Sequence, residues 1–179
     1  GWMLLSYGKK VSVSSSLEGY PAGNIVDEDA RTAWVAQSNR DMEWAQVDLQ
    51  RLSSIHAIQV NFDEYGANQK GAVSGVYQSY LIYASVNGED WSLVVDYGTK
   101  KTDTPHDYIE FEEPFKARYI KLQNKEYMVS ENFSVRDLRI FGKGQGSTPR
   151  AVNDFTVERD EADPCKARLC WEAVPDAQG

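Results

Sequence analysis

The sequence predicts an all-β fold, an antiparallel sandwich or barrel of strands joined by turns. Three observations carry this. Apolar residues recur with a period of two through most of the first 142 residues. Turn signals punctuate those runs at short intervals. No segment holds helical periodicity for three turns.

In EWAQVDL, Ala45, Val47 and Leu49 fall on one face and Trp44, Gln46 and Asp48 on the other. In IHAIQVNF, Ile58, Val60 and Phe62 alternate with Ala57, Gln59 and Asn61. SYLIYASVNGEDWSLVVDYG reads as two strands around an Asn87-Gly88 turn, a strong short-range hairpin signal. DYIEFEEPFKARYIKLQN reads as a further pair broken at Pro114, with Ile120 and Leu122 opposite Tyr119 and Lys121. SVRDLRIFG closes the set before Gly142. After Phe141, GKGQGSTPR has the texture of a linker. Alternation then resumes, pairing Phe155 with Val157, and Ala167 with Leu169 and Trp171. Two strands close no core by themselves, so a second β module truncated at Gly179 is expected, in a piece excised from a longer chain. The expected division is 1–142 for the sandwich, 143–150 for a linker and 151–179 for the fragment.

Composition excludes several classes. The 179 residues carry 27 acidic and 19 basic side chains, a formal net charge of -8. No basic patch beyond Lys100-Lys101 marks a nucleic-acid groove or an anionic membrane surface, so neither partner is expected. No apolar run is long enough to span a bilayer. The two cysteines, Cys165 and Cys170, make neither a disulfide scaffold nor a four-ligand zinc site. His56 and His106 stand without a second metal ligand nearby in sequence. The paired acids Glu28-Asp29, Asp63-Glu64 and Glu112-Glu113 point to opposite faces at strand spacing, unlike the facing carboxyls that glycoside hydrolysis needs. No catalytic constellation is found, and no enzyme is expected in this chain.

The stretch NIVDEDARTAW, Asn24–Trp34, admits several readings. Asn24 could cap a helix, yet the next apolar pattern is a strand. An EF-hand loop fails, because Arg31 and Thr32 stand where an acid and a glycine are needed.

With these elements placed, residues 5–142 resemble the discoidin, or coagulation factor V/VIII type C, family, which overlaps carbohydrate-binding module family 32. The motifs run in the family's order: VSVSSSLEGYPAGNIVDEDARTAW, EWAQVDLQRLSSIHAIQV, YLIYASVNGEDWSLV, ARYIKLQ and RDLRIFG. The resemblance implies an eight-stranded, galactose-binding-domain-like sandwich with a jelly-roll-like course. It also implies that Asn24–Trp34 closes around structural calcium. Asp27 and Thr32 would supply side-chain oxygens, Asn24 and Asp29 mainly backbone ones, and Asp137 would replace the family's glutamate from the last strand. Trp34 is expected in the core. A narrower likeness, through GWMLLSYGKKVSVSSS, VDEDARTAWVAQS and TPHDYIEFEEPFKARYIKL, is to the module behind the catalytic propeller of bacterial glycoside hydrolase family 43 proteins. The residues from Thr148 are similar to the first two strands of a fibronectin type III domain, with Trp171 at its core tryptophan.

A sugar site needs an aromatic face for the C–H side of a ring and a few fixed polar groups for its hydroxyls. The connection Asp63–Gln78 offers Asp63, Tyr65, Asn68, Gln69 and Tyr77, and NKEYMVSENF offers Asn124, Tyr127, Asn132 and Phe133. Galactose-binding relatives carry a histidine and an arginine where this chain has Val35-Ala36 and Asp63-Glu64, so the familiar galactose site is not expected. The expected role is a non-catalytic module of a larger, exported glycoside hydrolase, secreted, periplasmic or at the cell surface. Its partners would be plant-type polysaccharide or oligosaccharide and the catalytic domain of the same parent chain. The alternative is an interdomain brace that packs on that domain without binding sugar.

Overall fold

The period-two pattern folds as eight strands. The computed structural model describes residues 1–67 and 75–144. They form β1 (Met3–Leu4), β2 (Lys10–Val13), β3 (Trp34–Val35), β4 (Trp44–Phe62), β5 (Gln78–Ser85), β6 (Ser92–Tyr97), β7 (His106–Tyr127) and β8 (Ser134–Gly144). The hydrogen-bonded order is β1-β8-β4-β7-β5-β6, with β2 added to β4 and β3 to β8. The architecture is an all-β, antiparallel sandwich.

Two long strands build both layers. The first part of β4, Ala45–Asp48, pairs with β2 and with Tyr119–Leu122 of β7, and its second part, Ser53–Asn61, pairs with His106–Ala117. Register slips between them at Asp48/Ser53 and Ile55/Ala57. Gln50 lies in the first slip with a left-handed φ of 72°, and the Asp48 carboxylate accepts its backbone N–H at 2.7 Å. Such bulges bend a strand sharply enough to carry it from one layer to the next.

The slip also explains where the sequence reading erred at Pro114. That residue does not break β7 into a hairpin, and the strand runs on from His106 to Tyr127. Pro114 sits between Glu110 and Phe115, where β4 offers no direct partner, so its missing N–H costs no ladder bond. The hairpin around Asn87-Gly88 forms as β5 and β6 but through residues 86–91, a longer loop than a two-residue turn. There the Asn87 side-chain oxygen accepts the N–H groups of Glu89 and Asp90 at 2.8 and 2.9 Å, fixing a wider turn. Asn24 caps no long helix: Ala22–Val26 is one 3-10 turn entered through Pro21.

The core takes the predicted faces Ala45, Val47 and Leu49; Ile58, Val60 and Phe62; and Ile120 and Leu122, and is joined by Ile82 and Ala84 of β5. Trp34 is fully buried, as expected, and its indole N–H donates to the Ser15 carbonyl at 2.9 Å. Phe133 meets Trp34, Phe62 and Tyr127 at ring distances of 5.7, 6.0 and 5.3 Å. Among the described residues no helix is long and apolar enough to cross a membrane. β8 runs through Lys143 and Gly144. The rest of the expected linker, the 151–179 fragment with Cys165 and Cys170, and the ligand candidates Asn68 and Gln69 lie outside the described residues.

Candidate loop-end site and acidic loop

Several loops are laced together beside the aromatic core. Phe133 donates its N–H to the Ser38 carbonyl at 2.9 Å and accepts from Ala36 at 2.8 Å. The Asn132 amide reaches the Ala36 carbonyl at 2.8 Å, and that of Asn39 reaches the Ser130 carbonyl at 3.0 Å. Asp63 donates its N–H to Ser134, and its carbonyl accepts from the Tyr127 hydroxyl. These hydrogen bonds tie Asp63 and the connections 36–43 and 128–133 to one another.

A cleft of about 230 Å³ opens in this region, with Phe62, Asp63, Glu64, Ala67, Val76, Gln78, Asp103, Pro105 and Val129 in its walls. Three of its polar side chains, Asp63, Gln78 and Asp103, are held by neighbours. Gln78 donates to Asp103 at 3.0 Å and accepts the Thr104 N–H at 2.7 Å. Asp63 holds Arg136 in an ion pair at 2.5 Å.

The structure distributes the sequence-selected residues unevenly. Asp63 lines the cleft. Tyr65 is half-buried nearby in sequence and packs edge-on against Tyr20 at 5.0 Å. Tyr77 does not stack beside Tyr65: its hydroxyl donates to Glu126 at 2.9 Å, and the Lys101 ammonium lies 4.6 Å from its ring centre. Asn124 and Tyr127 are corrections. Tyr127 is 1% exposed and Asn124 is fully buried, so neither presents a surface to a sugar. Asn124 instead donates to the Asn39 and Arg40 carbonyls at 2.8 and 2.9 Å, holding the 36–43 connection. Burial pushes the Tyr127 phenol well above the ordinary tyrosine range, with the nearby Asp63 and Glu64 charges adding to it. It remains a neutral donor to Asp63 and positions the site from behind. Phe133 is likewise core.

Sequence reasoning passed over Tyr20, Gln78 and Glu43. Glu43 is 8% exposed and accepts from three hydroxyls: Ser14 and Ser15 at 2.6 and 2.7 Å on one oxygen, Ser38 at 2.6 Å on the other. Burial opposes its ionisation, but the serine hydrogen bonds prevail and hold its carboxyl below the usual glutamate range. The run of Ser14, Ser15 and Ser16 after β2 was the available signal, a row of short donors with no apolar reason to be there.

Asn24–Trp34 forms a separate acidic loop. Asp27 Oδ1 accepts the Asp29 N–H at 2.9 Å, and Thr32 Oγ1 lies 2.6 Å from Asp27 Oδ2 and 3.1 Å from the Asp29 carbonyl. The Asn24 side-chain NH2 donates to the Ala33 carbonyl at 2.8 Å, tying the two ends of the loop. The Asp29 carboxylate turns to Arg31, so only its backbone oxygen faces the cluster. Asp137 is 8% exposed and accepts from Asn61 at 3.0 Å. Burial raises its pKa, and the charges of Glu28 and Asp27 push it further against Arg139. Among the described residues no three acidic, histidine or cysteine side chains converge.

Comparison with known proteins agrees with this architecture. Residues 10–138 match the family described as F5/8 type C domain. Over 110 residues the chain is 33% identical to lactadherin of Rattus norvegicus and 32% to that of Mus musculus, covering 58% of this chain and 25% and 23% of theirs. It spans about a quarter of the length of those relatives. Chitosan-binding module 1 from the chitosanase/glucanase of Paenibacillus sp. IK-5 superimposes with a TM-score of 0.64 at 20% identity, covering 78% of this chain and 99% of the module. Module 2 of that enzyme, solved with chitotriose, gives 0.64 at 20%, covering 77% and 99%. The family 32 carbohydrate-binding module of NanJ from C. perfringens, solved with galactose, gives 0.62 at 18%, covering 79% and 99%. At these identities the solved structures establish a shared fold.

Proposed function

The chain belongs to the F5/8 type C domain family, and on that premise we propose that it is a non-catalytic carbohydrate-binding module of a larger, exported bacterial glycoside hydrolase. One observation carries the reading: the laced loop end keeps a cleft of about 230 Å³ with preset polar groups beside Asp63. The sugar-binding modules that share the fold support it. The narrower assignment is to a family 43-like parent acting on xylan- or arabinan-type polymers, with a fibronectin type III-like module following. Tyr65 is the ring offered to the sugar, while Asp63 and the Gln78–Asp103 pair present hydroxyl partners.

Affinity electrophoresis of the full chain through xylan, arabinan, arabinoxylan or galactan, with calcium present, tests this. Retardation on at least one polymer is expected, and Tyr65→Ala should weaken it about tenfold or more, the loss of one stacked ring. Tyr77→Ala, whose ring is engaged by Lys101 and Glu126, should cost less. Unretarded migration on every polymer would sink the binding role and favour the alternative, a brace packed on the parent's catalytic domain.

Calcium is proposed as a structural ion of the acidic loop, held by Asp27, Thr32 and Asp137 with the carbonyls of Asn24 and Asp29. Bound there, it neutralises the acids and ties the loop to β8. Calcium at about a hundredfold excess over its Kd should stabilise the domain by about 2.7 kcal/mol. For this size that raises the Tm by roughly 5–10 °C. Asp27→Asn and chelator should each abolish the shift. A melting curve indifferent to calcium and chelator alike would remove the ion from the picture.

A further inference from the structure

We infer a second ligand site on the outer face of the sheet, for an acidic, uronate-bearing glycan bound by Lys121 within a frame of Trp44, Tyr83 and Trp91. Cross-strand register assembles it. Gln46 of β4, Lys121 of β7 and Tyr83 of β5 lie in one row, and Trp44, Gln123 and Leu81 form the next. The alternate residues Ala45, Val47, Ile82, Ala84, Ile120 and Leu122 fill the core, so this row points to solvent. Trp91 arrives from the β5–β6 loop. The Lys121 ammonium lies 4.5 Å from its ring centre, 5.7 Å from that of Tyr83 and 5.8 Å from that of Trp44.

The charge pattern selects the ligand. On a chain of net charge -8, no carboxylate pairs with Lys121 among the described residues. Of the acids on its own face, Asp48 is held by Arg118 at 2.8 and 3.0 Å, and Asp96, opposite Leu81 in the next row, accepts the Gly98 N–H at 3.1 Å. Lys121 is therefore a fixed cation balanced only by aromatic faces. A ligand that completes it must bring a negative charge and an apolar face for the half-exposed rings. A uronic acid ring carries both, with its carboxylate for the ammonium and its C–H face for Trp91 or Tyr83. Gln46 flanks Lys121 in the same row and can meet a hydroxyl. This face is separate from the loop-end cleft, and the inference does not rest on the reading of that cleft.

Tryptophan fluorescence and calorimetric titrations of the full chain test it, with tetragalacturonate and a glucuronate-substituted xylo-oligosaccharide as probes and neutral xylotetraose as control. Saturable binding of at least one acidic probe is expected, weakening as salt is raised. Lys121→Met should weaken it roughly tenfold or more, the loss of one charge-assisted contact. Trp91→Ala should weaken it comparably and Tyr65→Ala should leave it unchanged. Failure of both acidic probes to bind, or equal affinity in Lys121→Met, overturns the proposal and leaves the cluster as packing. Loss in Tyr65→Ala with retention in Lys121→Met also overturns it, placing the acidic sugar in the loop-end cleft. If neutral polymers bind nowhere while an acidic probe binds through Lys121, the loop-end reading fails and this one stands.

Discussion

Gly142→Ala is expected to destabilise the sandwich by about 3 kcal/mol or more, although it adds a single methyl group. Gly142 pairs with Met3 of β1, and β4 is the neighbour of β8 in the sheet order. A Cβ built there would overlap the Ser54 carbonyl oxygen and come within 3.0 Å of the Ser54 carbonyl carbon and 3.2 Å of the Ile55 Cα. Those atoms are backbone and lie on the short paired stretch of β4 between its two register slips. They have no rotamer with which to yield, so relief requires moving one strand against another. Urea denaturation should show a midpoint lowered by roughly 1–2 M with the m-value retained. Gly23→Ala is the control: nothing lies within 4 Å of its added Cβ, and its change should stay within about 0.5 kcal/mol. Equal midpoints for the two variants would mean that β8 can slide away from β4, contrary to the close approach seen here.

The same strand crossing marks the limit of what the sequence made legible. Period-two alternation placed Ala45, Val47 and Leu49 inside because one strand keeps one parity while its pairing is regular. It also held the answer for Asn124, which shares parity with the core residues Ile120 and Leu122. The polar side chain suggested a ligand group where position dictated burial. Tyr127 was not legible in this way. Ser79 pairs with Glu126 but Tyr80 with Asn124, so one residue of β7 is bulged out at Lys125 and the parity beyond it reverses. That reversal turns Tyr127 into the core, and no local pattern announces it. Pro114 misled for a related reason, since its tolerance depends on a slip in β4 far away in sequence.

Candidate sites divide along the same line. The acidic loop was visible because its oxygens come from consecutive residues and a local turn gathers them. The Lys121 frame was not visible, because its three rings come from β4, β5 and a loop and meet only through cross-strand register. Trp44 could be assigned to an outer face from its own strand alone. Its neighbours could not.

Phe133→Ala should cost about 3–5 kcal/mol, the usual range for emptying a fully buried aromatic position. Two roles meet in this residue. Its ring joins Trp34, Phe62 and Tyr127 in edge-on and tilted contacts, and its backbone ties Ser38 and Ala36 to the start of β8. Phe133→Leu keeps the backbone ties and most of the volume, so about 1 kcal/mol is expected from imperfect shape. The pair separates packing from recognition. If the loop-end cleft is preorganised by the aromatic cluster, Phe133→Leu should weaken polysaccharide retardation more than its small loss of stability would suggest. Unfolding of Phe133→Ala combined with Trp34→Phe should depart from additivity by about 0.5–3 kcal/mol, because the two rings share a contact. Strict additivity, or a loss below about 1 kcal/mol in Phe133→Ala, would mean that the cluster collapses freely around the void. The loops would then owe their order to their hydrogen bonds alone.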